Sequence, residues 1–252
     1  MEWILLFFAG IFGGVINSVA GGGSFITFPT LMMVGVPPLM ANATNTLAVS
    51  AGYISGAYGF RKEIAEGGDT VRITLFSLIG GALGAYLLLS TPESVFLEAI
   101  PWLLLFATML FVFGGWVSQQ VKRLIGGNNT SDSKSWLLAA TLIFVSAYGG
   151  FFNAGLGIVV LSYLVLAGYQ NINLMNGLKL LVSAAVSVIA IIIFLVKDMI
   201  DWERGVVVML GTLIGGYLAA RVSRNIPQHY VRGFVTCSSF VITAYYFIEV
   251  YF

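Results

Sequence analysis

Long apolar stretches, separated by short polar segments, occupy most of the chain. A helix that crosses the hydrocarbon core of a bilayer needs about 20 mostly apolar residues, at 1.5 Å each. Eight runs reach or nearly reach this length, at 3–20, 39–60, 71–89, 96–117, 136–152, 172–196, 206–222 and 231–250. The pattern predicts an all-α, polytopic membrane protein with about eight spanning helices.

Two further apolar runs, 25–34 and 158–167, are too short to cross a bilayer. A ten-residue helix is about 15 Å long, which is half the thickness of the hydrocarbon core. Each short run follows a glycine-containing break, Gly21-Gly22-Gly23 in the first case and Gly155-Leu156-Gly157 in the second. We expect both runs to form half-helices.

The two halves of the chain resemble each other at a shift of about 135 residues. Gly13-Gly14 and Asn17 match Gly149-Gly150 and Asn153. Three later matches keep the same order: Gly35 with Gly168, 49–51 with 182–184, and 78–81 with 213–216. We interpret this order as an internal duplication, with a first transmembrane repeat at 1–118, a polar linker at 119–135 and a second repeat at 136–252.

The lysines and arginines of the loops bear on the orientation of these repeats, because cytoplasmic loops carry an excess of both. If the short runs add no crossing, eight such residues lie on one side and three on the other. If each short run returns the chain to the side it came from, the ratio becomes nine to two. The second arrangement makes the repeats inverted, a common plan of transporters that bind substrate at the midplane. The margin is one charge cluster, so the choice between inverted and parallel repeats stays open.

Composition excludes several classes of protein. Of 252 residues, 58% are apolar and 9% charged, which excludes a water-soluble globule and intrinsic disorder. Twelve Lys and Arg against eleven Asp and Glu leave no electrostatic surface for nucleic acid. One cysteine and one histidine exclude a disulfide framework within the chain and a cysteine-cluster metal site. We therefore expect no metal, no cofactor and no enzymatic activity.

Lys179 is the most informative polar residue, because its apolar run contains no Asp or Glu. A charge in the middle of the bilayer costs at least about 2.5–3.5 kcal/mol on insertion scales. All eleven carboxylates lie in loops or near the ends of runs, so none is an obvious partner. We interpret Lys179 as a cation that binds a small anion within the membrane. The alternative is a lysine near a helix start that extends to the membrane surface.

The glycine breaks are candidate anion sites. A half-helix that begins inside the membrane has free backbone N–H groups at its N-terminus, where its dipole also attracts anions. Irregular backbone at this depth is tolerated only where it faces protein or a wet cavity. A flexible turn or close helix packing is the alternative interpretation. The residues that would line the two sites are Gly21, Gly22, Gly23 and Ser24 in the first half, and Gly155 and Gly157 in the second.

Neutral amides and hydroxyls near the breaks can donate hydrogen bonds to an oxyanion without adding charge. The candidates are Asn17, Asn42, Asn45, Thr46, Asn153 and Asn176. Their alternative role is hydrogen bonding between helices, worth roughly 0.6 kcal/mol each. The GxxxG spacings of Gly80 with Gly84 and of Gly211 with Gly215 indicate close helix crossings.

The segment 13–29, GGVINSVAGGGSFITFP, followed by GVPP at 35–38 and ATNTL at 43–47, resembles the first half of the sulfite exporter (TauE/SafE) family, also called the toluene sulfonate uptake permeases. Residues 149–157 and Leu178-Lys179-Leu180 resemble the second repeat. The resemblance covers nearly the whole chain. It implies a multi-pass transporter of a bacterial-type inner membrane that moves small sulfur-containing or organic anions, such as sulfite, sulfonates or sulfoacetate.

This chain departs from the family pattern at three positions. Family members often carry Asp where this chain has Asn17 and Asn153, which puts proton coupling through these positions in doubt. They often carry Lys where it has Thr46, which leaves Lys179 as the one buried cation and weakens the inference of a doubly charged substrate.

We predict a secondary transporter that moves small anions by alternating access, with a midplane site between the repeats. The expected partners are the small anion and the lipid bilayer, and not nucleic acid. An anion channel and a transporter of small carboxylates or neutral solutes are the alternatives. The exact substrate, the direction of transport, the coupling ion and the oligomeric state stay open, with a homodimer as one candidate.

Overall fold

The computed structural model describes residues 1–67, 69–125, 132–222 and 228–252. These residues form eleven α-helices and no strand, which confirms the all-helical prediction for the described part of the chain. The helices are α1 (Glu2–Ala20), α2 (Ser24–Met33), α3 (Pro38–Gly59), α4 (Arg61–Glu66), α5 (Thr70–Ser90), α6 (Glu93–Ile125), α7 (Asp132–Phe151), α8 (Leu156–Leu166), α9 (Ile172–Val196), α10 (Trp202–Val222) and α11 (Gln228–Tyr251).

Several of these helices have the length and hydropathy of membrane spans. Within the described residues, three segments are long and apolar enough to cross a bilayer: Thr70–Ser90, Glu93–Leu110 and Ile172–Val196. Shorter apolar helical segments lie at Glu2–Asn17, Ser24–Met33, Trp136–Phe151 and Leu156–Leu166. Large apolar side chains such as Phe8, Phe12, Leu83 and Phe144 are exposed on the outside of the helices, which is the pattern of helices that lie in lipid.

The predicted linker at 119–135 falls partly within helices. α6 continues to Ile125 and α7 begins at Asp132. Residues 126–131, the centre of the predicted linker, lie outside the described residues.

The two short runs form the short helices α2 and α8, and glycine explains why the chain breaks before each. Gly21 follows the last residue of α1 with a φ of 78°, and Gly155 precedes α8 with the same φ. Glycine adopts such angles readily, whereas residues with a side chain rarely do. The chain therefore turns sharply at these two positions.

After each turn the short helix packs beside the helix that it follows. A β-carbon built on Gly23 would overlap the side chain of Asn17, and one built on Gly13 would overlap the side chain of Thr27. Residue numbers therefore rise along α2 as they fall along α1, so the two helices are antiparallel. In the second half, Leu156 at the start of α8 lies against Gly149 of α7.

Glycines also allow two long helix pairs to approach closely. α1 packs along α10, and α5 packs along α7. A β-carbon on Gly211 would overlap the carbonyl oxygen of Phe7, and one on Gly84 would overlap that of Ala147. Small residues permit such backbone contact between helices in membranes. The close crossings predicted from the two GxxxG spacings are confirmed.

The central helices α3 and α9 cross between these pairs. A β-carbon on Gly56 would lie 2.9 Å from Leu180 Cδ1, and one on Gly177 would lie 3.0 Å from Phe60 Cβ. Residue numbers rise along one helix as they fall along the other, so α3 and α9 are antiparallel. Most of the polar residues predicted to matter lie on these two helices, where they face the breaks.

Candidate anion-binding site

Lys179, near the start of α9, lies beside the first turn of α8. A β-carbon built on Gly157 would be 3.4 Å from Lys179 Cδ. The ammonium donates a long hydrogen bond, 3.5 Å, to Asn176 Oδ1. Both salt bridges found among the described residues belong to Arg204. In this part of the chain Lys179 is thus a partly buried cation next to the positive end of a helix, and it pairs with an uncharged amide.

A polar face of α9 extends from Lys179 along the second break. Lys179, Ser183 and Ser187 are spaced by four residues, so they lie on one face of the helix. Ser187 Oγ accepts a hydrogen bond of 3.3 Å from Asn153 Nδ2. Because Lys179 meets the break at Gly157 and Ser187 meets it at Asn153, the hydroxyl of Ser183 lies at a level between them.

Tyr53 of α3 joins the two asparagines that precede the breaks. Its hydroxyl donates to Asn153 Oδ1 at 2.8 Å, and the side chain of Asn17 lies next to it. Phe28 of α2 and Phe152, just after α7, pack edge to face with ring centroids 5.6 Å apart. The two breaks are therefore neighbours in the folded chain.

At the first break the polar side chains satisfy one another. Thr27 Oγ1 donates to Asn45 Oδ1, and Asn45 Nδ2 donates to Ser24 Oγ at 3.1 Å. All three residues are buried. The position that matches Lys179 in the first half is Thr46, whose hydroxyl donates to the Asn42 carbonyl at 2.9 Å. The predicted polar residues Ser24, Asn45 and Thr46 therefore already have hydrogen-bond partners within the protein.

Asn42 lies at the second break instead of the first. Its amide donates at 2.9 Å to the carbonyl oxygen of Phe151, the last residue of α7. The structure therefore separates the predicted site residues into two neighbouring sets. Around the second break lie Asn42, Asn153, Gly155, Gly157, Asn176 and Lys179; around the first lie Asn17, Gly21, Gly22, Gly23, Ser24 and Asn45, with Thr46 one turn beyond Asn42 on α3.

Sequence reasoning missed four polar residues beside the breaks: Thr27, Tyr53, Ser183 and Ser187. The four-residue spacing of Lys179, Ser183 and Ser187 was a usable signal, since it predicts one polar helix face. Nothing in the sequence indicates that Tyr53 would reach a residue in the other half of the chain.

A surface cavity of about 310 Å³ lies elsewhere, at the start of α5. None of the predicted site residues lines it; its lining residues are Asp69, Val71, Arg72, Leu75 and Phe76.

The chain is similar to known membrane proteins over nearly its whole length. The model of the family "Sulfite exporter TauE/SafE" matches residues 6–246. A "Probable membrane transporter protein" of Haemophilus influenzae is 31% identical over 250 residues, which cover 95% of this chain and 92% of the relative. The "Probable membrane transporter protein YfcA" of Escherichia coli K12 is 26% identical over 95% of this chain and 87% of the relative.

A third relative, "Probable membrane transporter protein ORF9" of a Sinorhizobium species, is 28% identical over 86% of this chain and 81% of its own length. No solved structure matches the chain. These similarities agree with the apolar helices and indicate transport as the general activity. The chain therefore belongs to the sulfite exporter TauE/SafE family of membrane transporters.

Proposed function

We propose that this protein is a secondary transporter of small anions, of the sulfite and sulfonate class, and that the anion binds at the second break. The observation that carries the proposal is the position of Lys179 beside Gly157, at the N-terminal end of α8. An ammonium and the positive end of a helix dipole both attract an anion, and here they lie side by side.

Burial gives this arrangement its significance. A cation away from water is costly unless it is paired, and the described residues offer Lys179 an amide oxygen in place of a carboxylate. A bound anion would supply the missing charge. The amide of Asn176, which already contacts the ammonium, can assist without adding charge.

Helix packing supports the proposal that the two halves are inverted repeats. In the proposed duplication α1 corresponds to α7, and α10 corresponds to α5. The helices of each pair, α1 with α10 and α7 with α5, run parallel, as this correspondence requires. Likewise α3 corresponds to α9. These two helices cross antiparallel, which is the relation that inverted repeats require. Both short helices end in the same motif, with glycine at positive φ: the N–H of Gly35 bonds to Met32 O and that of Gly168 to Val165 O.

The positions of the helix ends support the arrangement in which nine loop lysines and arginines lie on one side of the membrane and two on the other. Leu174 at the start of α9 packs against Gly67, so the loop of Arg61, Lys62 and Arg72 lies at the end where α9 begins. At the opposite end, Arg204 pairs with Glu2 and Asp201. By the positive-inside rule the first of these ends faces the cytoplasm, and we propose a bacterial inner membrane as the location.

The test is anion flux into vesicles that contain the purified full chain. Sulfite and methanesulfonate are the probes, with acetate as a small carboxylate. We expect Lys179→Ala to abolish anion flux, because it removes the charge that attracts the substrate. Lys197→Ala is the matched control: Lys197 is exposed at the other end of α9, and its loss should leave the flux unchanged. Wild-type flux in the Lys179→Ala protein would refute the assignment of the site.

Electrical recording separates the transporter from an anion channel, which has the same site requirements. A channel passes anions down their gradient at rates far above those of alternating access. We expect slow, saturable flux and accumulation against a gradient when a coupling ion is supplied. A large unitary conductance would instead favour the channel.

A further inference from the structure

Ser183 has an unusual hydroxyl group. The residue is 1% exposed, and its Oγ has no hydrogen-bond partner among the described residues. A buried polar group without a partner is costly, and nearly all such groups in proteins are paired. Ser183 lies one turn from Lys179 and one turn from Ser187 on the face of α9 that follows the second break. The unpaired hydroxyl therefore lies on the helix face that carries Lys179, one turn further along α9, level with the part of the break between Asn153 and Gly157.

Two other serines serve as comparisons for the unpaired hydroxyl of Ser183. Ser50 occupies the matching position in the first half, and its hydroxyl donates to Leu47 O at 2.8 Å. Ser146 is the other buried hydroxyl without a partner in the described part of the chain, but it lies at the crossing of α7 with Gly80 of α5. Of these three, only Ser183 lies on a helix face that also carries a cation.

We propose that Ser183 is a substrate-binding residue whose hydroxyl donates a hydrogen bond to an oxygen of a small oxyanion held by Lys179 and the first turn of α8. This inference rests on the function proposed above. The ligand class is a compact oxyanion, because an ammonium, a hydroxyl and helix N–H groups are all donors. Ser187 already accepts a hydrogen bond from the amide of Asn153, whereas the hydroxyl of Ser183 has no partner among the described residues.

The experiment measures thermal unfolding of the full chain in detergent, titrated with sulfite and with methanesulfonate, because a ligand stabilises the state it binds. We expect Ser183→Ala to weaken anion binding by about tenfold or more, the usual effect of losing a hydrogen bond to a charged group. Ser146→Ala removes an equally buried, unpaired hydroxyl and should leave the affinity within about twofold of wild type. Without anion, Ser183→Ala should melt no lower than wild type, because it removes an unpaired polar group.

The outcomes separate this inference from the proposed function. If both anions stabilise the wild type and Ser183→Ala binds them equally well, the inference is wrong and the proposed function stands. If neither anion stabilises the wild type and vesicle flux is also absent, the proposed function fails, and Ser183 with it. Should Ser183→Ala not fold, Ser183→Cys preserves the size with a weaker donor. Wild-type affinity in that variant overturns the inference, and a clear loss supports it.

Discussion

The hydroxyl of Tyr53 donates a hydrogen bond of 2.8 Å to Asn153 Oδ1, across 100 positions of the sequence. The side chain of Asn17 lies next to the same hydroxyl. Each asparagine precedes a break in its own half of the chain. One buried phenol therefore connects the two turns at which the half-helices begin, and no matching tyrosine is present on α9, where Val186 occupies the corresponding position.

Tyr53→Phe should destabilise the protein by about 1–3 kcal/mol, because it leaves the buried amide oxygen of Asn153 without its donor. We also expect slower anion flux, since the two breaks lose a common anchor. The measurement is the melting temperature in detergent, together with vesicle flux. Tyr58→Phe is the control, because Tyr58 is 68% exposed. An unchanged melting temperature in Tyr53→Phe would show that the hydrogen bond contributes nothing.

Gly155→Ala should impair anion binding as well as stability. Its φ of 78° costs a residue with a side chain about 1–2 kcal/mol, and a β-carbon would lie 3.2 Å from Ala107 Cβ. Relief of this strain would shift the first turn of α8. Gly168→Ala is the matched control, because its φ is 92° and a β-carbon there meets nothing within 4 Å.

We expect the two variants to lose comparable stability, measured by thermal unfolding. Only Gly155→Ala should lose affinity for sulfite. Equal affinities in both variants would mean that the geometry of this break is irrelevant to binding.

Gly84→Ala should disrupt the packing of α5 on α7. The added β-carbon would overlap the backbone oxygen of Ala147, and backbone atoms cannot move aside as a flexible side chain can. Overpacking of this kind costs about 1–3 kcal/mol, occasionally more. Gly59→Ala is the control, since a β-carbon there meets nothing within 4 Å. The melting temperature of Gly84→Ala should fall well below that of Gly59→Ala; equal values would contradict the close crossing.

Asn45→Ala should lower stability while leaving anion affinity intact. The amide of Asn45 is the link between Thr27 and Ser24. Its removal leaves the buried Ser24 hydroxyl without this donor, at a cost of about 1–3 kcal/mol, while Thr27 keeps its bond to the Gly23 carbonyl. Sulfite titration of the unfolding temperature checks both quantities. A large loss of affinity at unchanged stability would place the first break in the anion site.

Hydrophobic patterning alone was enough to predict an all-helical chain with membrane-spanning segments. Runs of about 20 apolar residues predict membrane helices because the bilayer demands internal backbone hydrogen bonding over its whole thickness. The two runs of ten residues, each after a glycine, predicted α2 and α8, because length and backbone freedom are local properties. The family motif was readable for the same reason, since it is a contiguous string of residues around the first break.

The sequence by itself determined the helices, the two glycine breaks, the family and the presence of one lysine inside an apolar run. Only the tertiary structure decided which side chains meet. In the folded chain Asn45 bonds Ser24 and Thr27, and Asn42 bonds the last residue of α7. Tyr53 bonds Asn153 in the other half, and the hydroxyl of Ser183 has no partner among the described residues. The physical reason is that a hydrogen bond depends on the crossing of helices far apart in the chain, and polar spacing along one helix does not reveal its partner on another.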